Sequence, residues 1–119
     1  MTKCLICENS LTIKRLTCEA CKTDFEGIFY FPRLARLSPS EQKLTEILIE
    51  YGGNLKEMAE FMDISYPTLK KRLYNLAQSL KKIKFEDKRK IDNILKAMEN
   101  HTMSVEEGMK LIKEINHEL

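Results

Sequence analysis

The stretch GNLKEMAEFMDISYPTLKKRL, residues 53–73, decides the fold of this 119-residue chain. Asn54, with Glu57 three residues later, is typical of the first turn of a helix, because a short polar side chain there can accept a hydrogen bond from the backbone. Ser65, followed by Pro67, predicts the start of another helix in the same way. The stretch therefore contains two helix starts separated by a short turn.

Apolar residues within this stretch predict how the two helices pack. Ala59 lies where the helices would cross and only a small side chain fits, and Ile64 would fill the turn between them. Leu69 and Leu73 would hold the second helix against the rest of the core. Asp63 occupies the turn position where glycine is usual, and we expect modest strain there because aspartate tolerates left-handed backbone better than most residues. This order of features predicts a helix-turn-helix.

The same residues resemble the Fis-type helix-turn-helix, whose pattern is Gly-Asn, a central Ala, an Ile-Ser turn and a helix like Thr-Leu-Lys-Lys-Leu. The resemblance implies that the second helix lies in the major groove of double-stranded DNA and touches base edges with its N-terminal residues.

The charge distribution supports a DNA-binding surface on that second helix. The chain as a whole is near neutral, with 20 Lys and Arg against 18 Asp and Glu, so it is no histone-like polycation. Residues 65–84, in contrast, carry six basic side chains and no acid. A solvated helix face is the alternative explanation for such a run. The residues expected to contact DNA are Ser65, Tyr66, Pro67, Thr68, Lys70, Lys71, Arg72, Tyr74 and Asn75.

All four cysteines fall in the first 21 residues, as two Cys-x-x-Cys pairs, Cys4 with Cys7 and Cys18 with Cys21. Two such turns brought together by a hairpin give four thiolates around one structural Zn²⁺, with no open coordination position for a substrate. Rubredoxin-like iron is the alternative metal. Disulfides are not expected in a cytosolic protein, and a thioredoxin-like redox pair would need a βαβ pattern.

A zinc ribbon of this size needs a β-hairpin, and alternation around Leu11–Lys14 and the aromatic run Phe25–Phe31 predict its two strands. Glu8 and Lys22 follow the two cysteine pairs at positions where many ribbons have glycine. The expected fold is therefore mainly α with a small β zinc ribbon, a three-helix core containing the helix-turn-helix, and a C-terminal helical hairpin. The predicted domains are 1–31 (ribbon), 32–37 (linker), 38–84 (helix-turn-helix domain) and 85–119 (hairpin).

Further capping signals predict the remaining helices. Ser38 with Pro39 starts a first helix that Gly52-Gly53 ends, and Ser104 starts a last one near the C-terminus. The third helix is expected to run to about Ile83, with a break at Phe85-Glu86-Asp87 before a further helix.

The C-terminal hairpin carries more apolar residues than two short helices bury against each other, so a homodimer is expected. Its segment 94–112 resembles a short C-terminal (SHOCT-like) domain, a module usually interpreted as oligomerising. The alternative for the hairpin is binding of another protein. The apolar seam Leu69–Ile83 is a second candidate dimer surface, and packing against the chain's own helices is the alternative for that seam. The residues expected at the dimer interface are Ile94, Leu95, Met98, Met109, Ile112 and Ile115.

Residues 4–82 together resemble a family of small prokaryotic proteins of uncharacterised function that combine a four-Cys ribbon with this helix-turn-helix; the resemblance implies transcriptional regulation. We find no phosphate-binding loop and no nucleophile beside a base, so no enzyme is expected. No signal peptide or membrane-spanning run is recognised, and a cytoplasmic protein is expected. The leading function is a DNA-binding transcription regulator. The alternative is an adaptor that binds polymerase or a sigma factor without reading DNA.

Overall fold

A computed structural model describes residues 1–117. It is mainly helical with one small antiparallel sheet, as expected. The elements are β1 (Ile13–Thr17), β2 (Asp24–Phe29), a 3₁₀ turn (Leu34–Arg36), α1 (Pro39–Glu50), α2 (Leu55–Met62), α3 (Tyr66–Glu99) and α4 (Val105–Asn116). They form two compact units, one of residues 33–85 and one that joins residues 1–32 to the chain from residue 86 onward. The last two residues of the predicted 85–119 segment lie outside the described part. Within residues 1–117, no helix is long and apolar enough to cross a membrane.

The unit of residues 33–85 begins with α1, whose start and end follow the predicted signals. The Ser38 hydroxyl accepts a hydrogen bond from the Glu41 backbone N–H, at 3.3 Å. The Glu41 carboxylate in turn accepts one from the Ser38 N–H, at 3.1 Å, which completes a capping box. Gly52 and Gly53 follow the helix with φ of 60° and 80°, the left-handed backbone that glycine adopts without strain.

The core of this unit lies between α1, α2 and the first turns of α3. Met58 and Leu69 are fully buried, and Leu44 and Ile47 of α1 pack against them. Ala59 is 6% exposed within the same cluster, which confirms that the helices meet at a small residue. The first half of α3 is therefore held in place by its own buried leucine.

The turn between α2 and α3 has the predicted form. Asp63 ends α2 in left-handed backbone, with φ of 53° and ψ of 46°. The Ile64 N–H donates to the Ala59 carbonyl at 3.1 Å, and the Ser65 hydroxyl accepts from the Thr68 N–H at 3.3 Å. Residues 54–69 thus form the helix, tight turn and helix that the sequence indicates.

The expected break in the third helix is wrong. Helix α3 continues without interruption through Phe85-Glu86-Asp87 and ends at Glu99. The reason is chemical, because residues 68–99 contain neither glycine nor proline, and charged residues alone do not end a helix. The hairpin thus consists of the second half of α3 and α4.

The ribbon's hairpin pairs β1 with β2 in antiparallel register, with Leu16 opposite Phe25 and Thr17 opposite Asp24. The Asp24 carboxylate accepts hydrogen bonds from the Thr17 hydroxyl, at 2.6 Å, and from the Arg15 guanidinium. These two donors lower the pKa of Asp24. The second strand ends at Phe29, two residues before its predicted end.

Helix α4 packs closely on the second half of α3. The Ser104 hydroxyl accepts from the Glu107 N–H at 3.1 Å, as predicted, and Ile94 and Ile115 are 9% and 3% exposed. Gly108 is buried, and a Cβ atom there would clash with the Met98 sulfur. Glycine at position 108 therefore allows the two helices to approach.

The ribbon contacts this helical pair within the same unit. The Lys90 ammonium lies 5.3 Å from the ring centroid of Tyr30, at the end of the ribbon. Burial raises the pKa of Tyr30, and the negative charge of Glu114 on α4 adds to the rise. Tyr30 thus contacts α3 through Lys90 and is influenced by the charge of Glu114 on α4.

The close approach at Gly108 gives a test of the packing. We expect Gly108→Ala to lower the free energy of unfolding by about 1 kcal/mol, because the new methyl group displaces the Met98 side chain. In a Met98→Ala background the same change should raise it by about 1 kcal/mol, the helix-propensity gain of alanine over glycine. Urea unfolding followed by circular dichroism measures both values, and equal effects in the two backgrounds would contradict the contact.

Candidate metal centre and nucleic-acid interface

The first cysteine pair lies in a tight turn closed by its own backbone. The Cys4 N–H donates to the Asn9 carbonyl at 2.9 Å, and the Glu8 N–H donates to the Cys4 carbonyl at 3.0 Å. Glu8 has a φ of 61°, in the left-handed region. The turn therefore needs left-handed backbone directly after Cys7, where glycine would be unstrained.

The second pair repeats this turn bond for bond. The Cys18 N–H donates to the Thr23 carbonyl at 2.9 Å, and the Lys22 N–H donates to the Cys18 carbonyl at 2.8 Å. Lys22 also has a φ of 61°. We call residues 4–9 and 18–23 the two knuckles.

Hydrogen bonds to sulfur accompany the knuckles and favour thiolates. The Ile6 N–H lies 3.4 Å from the Cys4 sulfur, and the Thr23 hydroxyl lies 3.0 Å from the Cys21 sulfur. Bonds from the Cys7 N–H, the Ile6 N–H and the Cys7 thiol lower the pKa of Cys4. Bonds from the Thr23 hydroxyl and N–H and from the Cys18 thiol lower the pKa of Cys21. A thiolate is the form of cysteine that binds metal.

The structure brings the cysteines together as pairs. Each knuckle holds two cysteines three residues apart in one tight turn, Cys4 with Cys7 and Cys18 with Cys21. Among the residues that the structure describes, no group of three or more Cys, His, Asp or Glu side chains is in position to hold a metal ion. The local chemistry of each knuckle thus fits a thiolate metal site, and the set of four remains a prediction.

The predicted DNA-contacting residues all lie on the surface of the first part of α3 and of the turn before it. All of the predicted residues are exposed, namely Ser65 to Thr68, Lys70 to Arg72, Tyr74 and Asn75. Leu69, which lies between them in the sequence, is fully buried. The Lys70 ammonium lies 5.6 Å from the ring centroid of Tyr66. This cation–π contact places a positive charge beside the exposed tyrosine ring at the start of the helix.

The exposed residues of α3 are divided between two grooves and an outer face. Tyr66 and Ser65 line a groove with Lys56 of α2. Arg72 and Asn75 line another groove with residues of α1, including Lys43. Lys71 and Tyr74 line neither of these grooves.

Lys43 and Lys56 are basic residues that the sequence analysis did not assign to the site. Their only signal was a positive charge on a helix preceding the turn, which by itself is typical of any solvated helix. The grooves show that they accompany the residues of α3.

Comparison with known families supports the fold of this region. Residues 37–83 match a family model described as "Domain of unknown function (DUF2089)-HTH". The match supports a helix-turn-helix fold for these residues. The match covers less than half of the 119 residues and leaves the ribbon and α4 outside it. No curated protein matches the chain, and no solved structure does.

The predicted dimer-interface residues divide by exposure. Ile94 and Ile115 are buried inside the single chain, and Met98 and Ile112 are partly buried. Leu95 and Met109 remain on the surface, 47% and 45% exposed. Only these last two are fully available for contact with a second molecule.

The left-handed residues of the knuckles generate a prediction about stability. We expect Lys22→Gly to raise the free energy of unfolding by about 0.5 kcal/mol, because relief of left-handed strain exceeds the entropic cost of glycine. Ala20→Gly, in the same turn but without positive φ, should lower it by about 0.5 kcal/mol. Amide hydrogen exchange of residues 1–32 measures the change in the free energy of unfolding in each variant. The same sign in both would show that the turn is not strained at Lys22.

Proposed function

We propose that this chain is a DNA-binding transcription regulator with a structural zinc ribbon. The observation that carries the proposal is the first half of α3, which is fixed by the buried Leu69 and presents an exposed, acid-free basic surface. This surface belongs to a helix-turn-helix domain, in which the second helix ordinarily enters the major groove. Double-stranded DNA is therefore the proposed partner.

The exposed residues suggest separate roles in this binding. Lys70, Lys71 and Arg72 carry charges that can neutralise phosphates or reach guanine edges. Thr68 and Asn75 can donate and accept hydrogen bonds at base edges, as sequence readout requires. The tyrosines at 66 and 74 add hydroxyl groups and stacking surfaces, so the helix combines affinity with a basis for sequence preference.

We infer that Cys4, Cys7, Cys18 and Cys21 hold one Zn²⁺ per chain. The support is the repeated knuckle, since each one holds two cysteines in one tight turn and has a hydrogen bond to a cysteine sulfur. Such a metal would link the knuckles and supply stability that a segment of some 30 residues cannot obtain from apolar burial alone. Iron is the competing metal, and elemental analysis separates the two.

We further infer a homodimer. A single helix-turn-helix contacts few base pairs, so specific sites are usually read by two copies across two half-sites. The exposed Leu95 and Met109 offer apolar surface for such a contact outside the helix-turn-helix domain.

A second candidate function has its own supporting observation. Leu5 and Ile6, between the first two cysteines, are 86% and 94% exposed, which is unusual for two adjacent apolar residues. Such a tip could bind a protein of the transcription machinery, with no reading of DNA by this chain. Loss of a polymerase or sigma-factor contact in Ile6→Ser, with duplex binding absent in the native chain, would favour this adaptor.

The DNA proposal predicts different effects for two kinds of substitution. Lys71→Gln should weaken binding to every duplex and reduce the salt dependence by about one counterion. Thr68→Ala should instead change sequence preference, by about 1–3 kcal/mol at a contacted base pair. Gel-shift and selection assays over a range of salt concentrations measure both effects.

The matched control is Lys110→Gln, which removes an exposed charge from α4 and should leave affinity unchanged. Native chain that binds no duplex at low salt would contradict the proposal. A selected site with two half-sites separated by about 10 base pairs supports the homodimer, whereas a single half-site contradicts it.

The zinc proposal predicts one equivalent of zinc in the purified chain by elemental analysis. Cys21→Ser should abolish stoichiometric binding, and Thr23→Val should weaken it by about 10-fold or more through loss of a hydrogen bond to the ligand sulfur. Ser10→Ala, just outside the first knuckle, is the control. No stoichiometric metal, with all four thiols freely titratable, would contradict the proposal.

A further inference from the structure

A groove of about 510 Å³ lies on the unit of residues 33–85, where α1 faces α3 beside the end of α2. This volume falls within the range of small-molecule sites, about 300–1,000 Å³. Its apolar residues are Leu44, Ile47, Met62 and Leu76. Its polar residues are Ser40, Glu41, Lys43, Arg72 and Asn75.

The apolar residues belong to the core or pack directly against it. Leu44 and Ile47 are both 8% exposed, and Met62 and Leu76 pack on the same cluster. These residues are fixed by their core contacts, so the apolar surface of the groove is largely preformed. Covering it with a hydrocarbon chain would remove apolar surface from water.

Two cations, Lys43 and Arg72, and one carboxylate, Glu41, line the groove. The Glu41 carboxylate accepts the Ser38 N–H at 3.1 Å, and hydrogen bonding from Ser79 is the main cause of its lowered pKa, so Glu41 keeps its negative charge. The Lys43 ammonium lies 3.8 Å from Glu46, but both side chains are more than 60% exposed, so this pair is weak. Lys43 and Arg72 outnumber Glu41, so the residues that line the groove carry a net positive charge.

We propose that this groove binds a small amphipathic anion, namely a carboxylate with an apolar tail. The tail would lie on the partly exposed Met62 and Leu76, beside the buried Leu44 and Ile47. The carboxylate would lie between Arg72, whose planar fork matches two carboxylate oxygens, and Lys43. A DNA phosphate would match the charges but would leave the apolar surface uncovered.

The proposed ligand would share Arg72 with the DNA-binding surface. Occupancy of the groove should therefore weaken duplex binding, and this consequence alone rests on the proposed function. Binding of the anion itself does not depend on whether the chain binds DNA.

The direct test titrates the full chain with octanoate and follows backbone amide shifts by NMR. We expect saturable shifts at the groove residues of α1 and α3. Octanol has the same tail without the charge and should bind at least fivefold more weakly than octanoate. Acetate has the charge without the tail and should produce no saturable shift. Absence of saturation with octanoate, or equal binding of octanol, would overturn the proposal.

Substitutions at exposed positions locate the anion without disturbing the core. Arg72→Gln and Lys43→Gln should each weaken octanoate binding about fivefold. Lys81→Gln removes a charge from the same helix outside the groove and should not change it. Circular dichroism verifies that each variant is folded, and octanoate affinities equal to the native value in both groove variants would overturn the proposal.

A competition assay separates this proposal from the proposed function. In the native chain octanoate should reduce duplex binding, and in Lys43→Gln about fivefold more octanoate should be needed for the same reduction. Octanoate binding by a chain that binds no duplex supports the groove site and contradicts only the DNA proposal. Duplex binding by a chain that binds no octanoate contradicts only the groove site.

Discussion

Burial of Leu69 against α1 and α2 is the contact on which the rest of residues 33–85 depends. This side chain and Met58 are fully buried, and burying one such side chain contributes about 2 kcal/mol. The burial of Leu69 also fixes the rotation of α3 about its own axis, which matters more than the energy. With Leu69 directed inward, the basic residues after it must face solvent or the grooves beside α1 and α2, because successive helical residues are 100° apart. A single apolar position thus determines which side chains are available to a partner.

The second unit is organised around a different kind of contact. The ribbon has little buried surface of its own, and most residues of β1 and β2 are exposed. Tyr30 joins it to the helical pair, through Lys90 on α3 and the charge of Glu114 on α4. The ribbon and the hairpin, which look like separate modules in the sequence, therefore share one compact unit.

Local signals allowed much of the fold to be predicted from the sequence. Ser38, Ser65 and Ser104 all accept the capping hydrogen bonds expected of them, and Asp63 adopts the left-handed backbone expected at the turn. Each of these features is determined by residues within a few positions of one another. The same is true of the knuckles, where the absence of glycine at Glu8 and Lys22 did not change the turn.

Features that depend on distant parts of the chain could not be predicted in this way. The break expected at residues 85–87 is a different kind of error, because residues 68–99 contain neither glycine nor proline and so carry no local signal that ends a helix. The partners of Arg72 and Asn75 in the groove with Lys43 depend on how α1 lies against α3. Helical periodicity describes one helix at a time and carries no information about such a pairing.

The division of the chain into units has a consequence for the order in which it folds. The unit of residues 33–85 is continuous in sequence, whereas the other is assembled from segments on either side of it. Contacts such as Tyr30 with Lys90 must close a long loop, and the entropic cost of closure makes such contacts slower to form than local ones. During synthesis residues 1–32 leave the ribosome before the middle unit, and their helical partner is made after it. Residues 1–32 can therefore complete their packing only after all of residues 33–85 have been synthesised.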